Sequence, residues 1–221
     1  MLICLDGADA VGKTTQTNLL AAKLQAIGYR TWKTKEPGGP NPLSQSIRQI
    51  LLNPETTISP SSSLLLFLAD RFQNGLEVQE KLDQGYVVIS DRSAFSSFVY
   101  HAAAQVEQDP LAIAKQIAPL LDFAQNVQPD LCVVCSASYE WSAQQLKARK
   151  TLDRIEQLGP DFHKRVHEFF KPFYLNRLQT MMERAPQRVH FCKPANQATA
   201  EQICDEIFQA TKLPLRPQDS K

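Results

Sequence analysis

The chain has 221 residues, 43% of them hydrophobic and 21% charged, enough to bury one sizeable core and too few for two complete domains to fit comfortably. With 24 Lys and Arg against 23 Asp and Glu, the net charge of +1 gives no broad field to hold a nucleic acid, so any phosphate binding must come from locally placed groups. No basic segment leads into a long apolar one, and no apolar run is as long as a membrane span, so a soluble, cytoplasmic protein with neither nucleic-acid nor membrane partner is expected.

Met1 to Leu5 is an apolar run suited to a strand, and it meets the glycine-containing segment Gly7 to Thr15 directly. Helical spacing follows at Leu19, Leu20, Ala22, Leu24 and Ile27, and Gly28 ends it. Tyr29 to Thr34 reads as a second strand, closed by the turn-forming Glu36-Pro37-Gly38-Gly39-Pro40. A helix is predicted over Leu43 to Leu52, and another opens at Ser59-Pro60, carries Leu64 to Phe72, and is followed by further helix to Gln84. Tyr86 to Ile89, Leu131 to Cys135 and Arg188 to Cys192 complete a set of five strands; the first two lack alternation, as strands buried on both faces do. A charged stretch, Lys147 to Glu156, precedes a helix through Phe162 to Met182, and the tail 213–221 is polar. Strands alternating with helices over 1–212 predict one α/β domain, a doubly wound parallel five-stranded sheet flanked by helices.

The five cysteines do not form a disulfide framework. Cys132 and Cys135 make a CxxC, but strand alternation sends their side chains to opposite faces, so buried thiols are expected rather than a metal site. His163 and His167 stand one helical turn apart with Lys164 and Arg165 between them and no third ligand in view, so a solvated helix face is expected. Trp32 and Trp141 are expected to pack in the core.

Gly7-Ala8-Asp9-Ala10-Val11-Gly12-Lys13-Thr14 fits the pattern GxxxxGK[ST], with a strand before it and an amphipathic helix after it. That order is the context a phosphate-binding P-loop requires. Glycines let successive N–H groups turn toward a phosphate, Lys13 adds a charge, Thr14 offers a hydroxyl to Mg²⁺, and the helix N-terminus favours the anion. The segment Gly7, Ala8, Asp9, Ala10, Val11, Gly12, Lys13, Thr14 and Thr15 is therefore the expected ATP site. Asp91-Arg92 follows a buried strand, where ligands of open α/β sheets bind: Asp91 joins Thr14 as a candidate for the Mg²⁺ shell, and Arg92 is a candidate phosphate clamp. Taken alone the pair reads equally as a surface ion pair at a strand end; beside a P-loop the functional reading is the one expected. Arg149, Lys150 and Arg154 form a basic cluster that reads either as a solvated charged helix or as cations closing over transferring phosphates.

Over Met1 to about Ile207 the sequence resembles the thymidylate kinase family. The shared landmarks, in order, are the P-loop, Lys35-Glu36-Pro37-Gly38-Gly39, the run Ser46 to Leu52, Leu65-Leu66-Phe67-Leu68-Ala69-Asp70-Arg71, Asp91-Arg92, Gln128-Pro129-Asp130-Leu131, and Asp153-Arg154-Ile155-Glu156. The resemblance implies ATP-dependent phosphorylation of dTMP to dTDP with Mg²⁺, by a homodimer. It implies that Phe67 stacks on thymine and Arg71 hydrogen-bonds the base. Arg92 would hold the acceptor phosphate, Asp9 the acceptor's sugar or phosphate end, and Tyr100 would favour deoxyribose, with Glu36, Pro37, Ser96 and Ser97 completing the acceptor site. A lid at about 142–156 would supply Arg149 and Arg154, because the P-loop carries Ala10 where some relatives carry arginine; Lys13, Asp9, Arg92, Arg149 and Arg154 form the implied catalytic set.

Several positions depart from the family's pattern. Ser93 follows Asp91-Arg92 in place of Tyr or His, His101 follows Tyr100 in place of Gln, and Ser136, Lys35 and Ile155 replace commoner residues. These leave open another deoxynucleoside monophosphate or a deoxynucleoside as acceptor, or a divergent nucleotide-binding paralogue with little turnover.

Overall fold

Five short runs form strands β1 (Leu2–Asp6), β2 (Thr31–Lys35), β3 (Val87–Asp91), β4 (Leu131–Val134) and β5 (Val189–Phe191) in the computed structural model, which describes residues 1–214. All pair in parallel, in the order β2-β3-β1-β4-β5. Every residue of β1 and β4 is buried, as is β3 up to Ser90, which is why these strands read as unbroken apolar runs. The outer strands are more polar: only Thr34 is buried in β2, and none of β5 is fully buried. The α/β architecture expected from the sequence is present, with each strand displaced by only a residue or two from its predicted place.

Nine helices flank the sheet among the described residues: α1 (Lys13–Ala26), α2 (Pro42–Leu52), α3 (Pro60–Asp83), α4 (Ala94–Ala103), α5 (Pro110–Ala124), α6 (Tyr139–Lys147), α7 (Pro160–Phe169), α8 (Pro172–Met181) and α9 (Ala200–Thr211). Helix α1 packs on β1, β2 and β3 and against α9, while α4 packs against α3, α5 and α7. The largest fully buried side chains include Phe95 and Phe98 of α4, Ile3 and Leu5 of β1, and Ile89 of β3. No helix among the described residues is long and apolar enough to cross a membrane.

Several expectations are corrected. The segment from Pro60 to Asp83 is one uninterrupted helix, opened by Ser59, whose side chain accepts the Ser62 N–H at 3.1 Å. Gly75 lies inside it because Asn126 closes on that point; a Cβ there would sit 1.7 Å from Asn126 Oδ1. The helix predicted over Phe162 to Met182 is two helices. Pro172 has no N–H to continue the ladder, so α7 ends at Phe169 and α8 restarts with proline in its first turn. The α7 histidines do not lie on a solvated face: His163 is buried and His167 half-buried, and the described residues contain no cluster of metal-ligating groups. All five cysteines are free and buried. The predicted tail lies, from residue 215 on, outside the described residues.

The sheet order decides where ligands can go. β1 lies between β3 and β4, and Leu5 pairs with Asp91, so the loops leaving β1 and β3 start side by side at the carboxyl edge. In open α/β sheets that crevice is where ligands bind.

Candidate active site

The loop after β1 turns tightly because three residues take positive φ: Gly7 (138°), Ala10 (59°) and Gly12 (93°). Gly7 cannot carry a side chain here, since a Cβ would lie 2.1 Å from the Cys135 carbonyl oxygen. Ala10 takes a left-handed conformation that costs an L-residue roughly 1 kcal/mol. Lys13 begins α1 and is buried, its Nζ donating to the carbonyls of Gly7 (3.1 Å) and Ala8 (2.6 Å). Burial, with Arg92 nearby, lowers its pKa, opposed by Asp91, Asp9 and Asp6. Thr14 Oγ1 donates to Asp91 Oδ2 at 2.9 Å, so the hydroxyl and carboxylate expected at the metal do meet.

Arg92, also at positive φ (92°), turns back over the loop. Its Nη2 donates to Asp9 Oδ1 in a largely buried ion pair, and its Nη1 donates to Ser96 Oγ at 2.9 Å. The guanidinium lies 4.9 Å from the Tyr100 ring centroid, and the Tyr100 hydroxyl donates to Asp9 Oδ2 at 2.7 Å. Burial would raise the Asp9 pKa, but Arg92 and Lys13 outweigh it and hold the carboxyl below its ordinary range. A loop residue expected beside ATP and an arginine expected beside the acceptor are thus in direct contact.

Farther along the same wall, Arg71 is 4% exposed. It donates through Nε to Glu36 Oε2 (2.8 Å), through Nη1 to Ser97 Oγ (2.9 Å) and through Nη2 to the Ser93 carbonyl (2.7 Å). Nη2 also lies 2.7 Å from Glu36 Oε2, so among the described residues one of the five N–H groups, on Nη1, has no partner. The Glu36–Pro37 bond is cis. The next turn is held from α3, where Asp70 Oδ1 accepts the Gly38 N–H at 3.1 Å.

These groups face one cavity of about 1150 Å³. Of the sequence-predicted site residues, its wall includes Asp9, Ala10, Gly12, Lys13, Thr14, Thr15, Glu36, Pro37, Phe67, Arg71, Asp91, Arg92, Ser96, Ser97, Tyr100, Arg149 and Arg154. Gly7, Ala8 and Val11 are not on it: all three are buried, with Ala8 and Val11 in the hydrophobic core. Arg149 and Arg154, expected in a lid, already have protein partners. Arg149 pairs with Glu156, and Arg154 donates to the Leu51 carbonyl (2.8 Å) and Ser63 Oγ (3.2 Å).

Trp141 is a correction, for it is half-buried and lines the cavity instead of packing in the core. Its helix is fixed to the P-loop by Ser142 Oγ, which donates to the Asp9 carbonyl. Arg48 also lines the cavity and donates to the Pro37 carbonyl at 2.7 Å. In sequence it stands within a run that resembles the family, with nothing to single it out.

A P-loop at the end of β1, facing a cation-lined cavity that continues onto α3 and α4, defines a P-loop phosphotransferase of the nucleoside monophosphate kinase class. The family model for thymidylate kinase matches residues 5–193. The thymidylate kinase of Exiguobacterium sp. is 33% identical over 96% of this chain and 93% of its own length. That of Syntrophotalea carbinolica is 32% identical over 96% and 95%, and that of Pseudomonas fluorescens 36% identical over 77% and 80%. The chain belongs to the thymidylate kinase family.

Asp70 supplies a pH test. Among the described residues its Oδ2 is buried without a well-formed hydrogen bond, and burial, with Glu36 adding to it, pushes the carboxyl up to about 6 against the Gly38 N–H, the Ser44 hydroxyl and Arg71. Between about pH 4 and that value the folded protein keeps a proton that the unfolded chain has released, so the stability this group contributes is full in acid and lost as pH rises through about 6. Asp70→Asn is expected to gain on the order of 1–2 kcal/mol relative to wild type between pH 4 and pH 7 in urea unfolding. Parallel stability curves would show that Asp70 does not titrate there.

Proposed function

We propose that this protein transfers the γ-phosphoryl group of ATP to dTMP, giving ADP and dTDP. The observation that carries the reading is one cavity whose wall joins the P-loop, Arg92 and the Tyr100 packed against them to Phe67, Arg71 and Ser97. ATP phosphates lie on the loop and the N-terminus of α1. The acceptor's phosphate meets Arg92, its deoxyribose packs by Tyr100, and its base stacks on Phe67 with the free Arg71 N–H directed at the ring edge. An oxygen of the acceptor phosphate attacks the γ-phosphorus, the bond to the β–γ bridging oxygen breaks, and ADP leaves with the electron pair. The attacking oxygen already bears charge, so positioning and charge neutralisation do the catalysis and no strong base is required.

The Thr14 hydroxyl and Asp91 carboxylate are hard oxygen ligands of the kind Mg²⁺ takes alongside substrate phosphates. The ion would bind there and neutralise charge on the β- and γ-phosphates. Residues 142–156 act as a lid within a single kinase domain, and Arg149, whose side chain is 46% exposed, exchanges its ion pair with Glu156 for the transferring phosphate. The free buried thiols suit a reducing cytoplasm.

Purified protein with ATP, Mg²⁺ and each of dTMP, dUMP, dGMP, dCMP, dAMP and thymidine is expected to convert dTMP preferentially. Lys13→Ala is expected to lower kcat at least about a hundredfold. Preference for another acceptor would overturn the assignment, and nucleotide binding without turnover would favour a binding protein.

A homodimer is proposed from the exposed apolar strip on α3 and α5. Leu65, Phe72 and Leu76 follow one helix face, and the Phe72 ring stacks on exposed Phe123 at 5.6 Å. Light scattering is expected to give twice the 24.8 kDa chain mass for wild type and the chain mass for Phe72→Asp/Leu76→Asp. A wild-type protein of 24.8 kDa at micromolar concentration would refute it.

A further inference from the structure

Asp6 ends β1 immediately before the P-loop and is completely buried. Its side chain does not line the cavity, yet its two oxygens accept five hydrogen bonds. Oδ1 takes the Gly7 N–H (2.9 Å) and the Ser96 hydroxyl (2.5 Å). Oδ2 takes the Ser93 N–H (2.9 Å), the Ser93 hydroxyl (2.5 Å) and the Ser96 N–H (3.2 Å). Three of the five donors are backbone amides that cannot turn away, and a carboxylate is the side chain that offers only acceptors.

These bonds join two parts of the site that the chain separates by more than eighty residues. Gly7 opens the loop on which the ATP phosphates rest. Ser93 caps α4, accepting the Phe95 N–H at 3.2 Å, and Ser96 lies in that helix's first turn. Ser96 Oγ in turn accepts Arg92 Nη1 at 2.9 Å, so a continuous path runs from the P-loop amide through Asp6 and Ser96 to the guanidinium facing the acceptor phosphate. Ser93, a departure from the family's pattern, supplies two of the five donors.

We propose that Asp6 is a positioning residue for phosphoryl transfer, fixing the separation and orientation of the P-loop and Arg92 so that donor and acceptor phosphates meet in line. The inference rests on the kinase reading above. A misplacement of about 1 Å at a reacting centre costs on the order of a hundredfold in rate, so a joint of this kind acts on kcat more than on the binding of either nucleotide. Asp6→Asn keeps the shape and turns one acceptor into a donor. Its NH₂ opposes one backbone amide on the Oδ1 side or two on the Oδ2 side. The less costly orientation leaves the Gly7 N–H without an acceptor, so the start of the P-loop shifts relative to α4.

The test is steady-state kinetics with ATP and dTMP on folded Asp6→Asn protein, its concentration corrected by circular dichroism and thermal unfolding. Asp6→Asn is expected to lower kcat at least tenfold while both KM values stay within threefold. Ser93→Ala, which removes one donor and leaves the backbone amides in place, is expected to lower kcat about threefold to tenfold with KM unchanged. A purely structural Asp6 would reduce the folded fraction and Tm but leave kcat per folded molecule at the wild-type value, and that result overturns the proposal. If Asp6→Asn does not fold, Ser93→Ala decides: wild-type kcat overturns the inference, and the selective kcat loss supports it. A wild-type protein without transfer to any acceptor would instead refute the kinase reading, so the two failures are distinguishable.

Discussion

The site depends on where the Arg92 guanidinium is held. It leaves β3 on a backbone turn of positive φ, bends over the P-loop, and is fixed by Asp9, Ser96 and the face of Tyr100. A free arginine side chain loses about 2 kcal/mol of rotamer entropy on being ordered. Here that ordering is supplied by contacts within the protein. The same contacts neutralise the Asp9 carboxylate, which would otherwise repel incoming phosphates from within the loop meant to bind them.

Charge is handled differently at the two ends of the cavity. Around the proposed phosphate site, Lys13 and Arg92 face Asp6, Asp9 and Asp91 in a largely buried setting, where pairing is strong and each member depends on the others. Burial works to lower the Arg92 pKa, yet Tyr100, Asp9, Asp91 and Asp6 hold it well above its ordinary value. Elsewhere on the wall, the pair of Arg149 with Glu156 leaves the guanidinium nearly half exposed and the carboxylate largely buried. That difference suits a fixed floor and a proposed lid whose cations must change partners in each cycle.

Much of this was legible in the sequence. The five strands, the P-loop and the meeting of Thr14 with Asp91 follow from apolar runs and a spacing motif, because parallel sheets bury their central strands and place loops at one edge. What the sequence did not show depends on contacts between distant segments. Asp6 looks like an ordinary polar residue ending a strand, and its five donors come from its own loop and from a helix far along the chain. Trp141 sits beside apolar residues, but its helix is drawn to the P-loop by Ser142, which turns the indole to the cavity. The break at Pro172 was readable and was overridden by the helical periodicity on either side of it. His163 was masked by its charged neighbours, Lys164 and Arg165, although helical geometry places it on the packed face.

Calorimetric titration of dTMP and thymidine into wild type and Arg92→Met tests most directly the proposed recognition of the acceptor's phosphate by Arg92. Wild type is expected to bind dTMP at least a hundredfold more tightly than thymidine, with the variant reducing that preference to less than about tenfold, since a charge-assisted bidentate contact of this kind is worth roughly 1.5–3 kcal/mol. A variant that folds and keeps the full wild-type preference would show that the phosphate is held elsewhere, and would contradict the assignment of the two ends of the cavity.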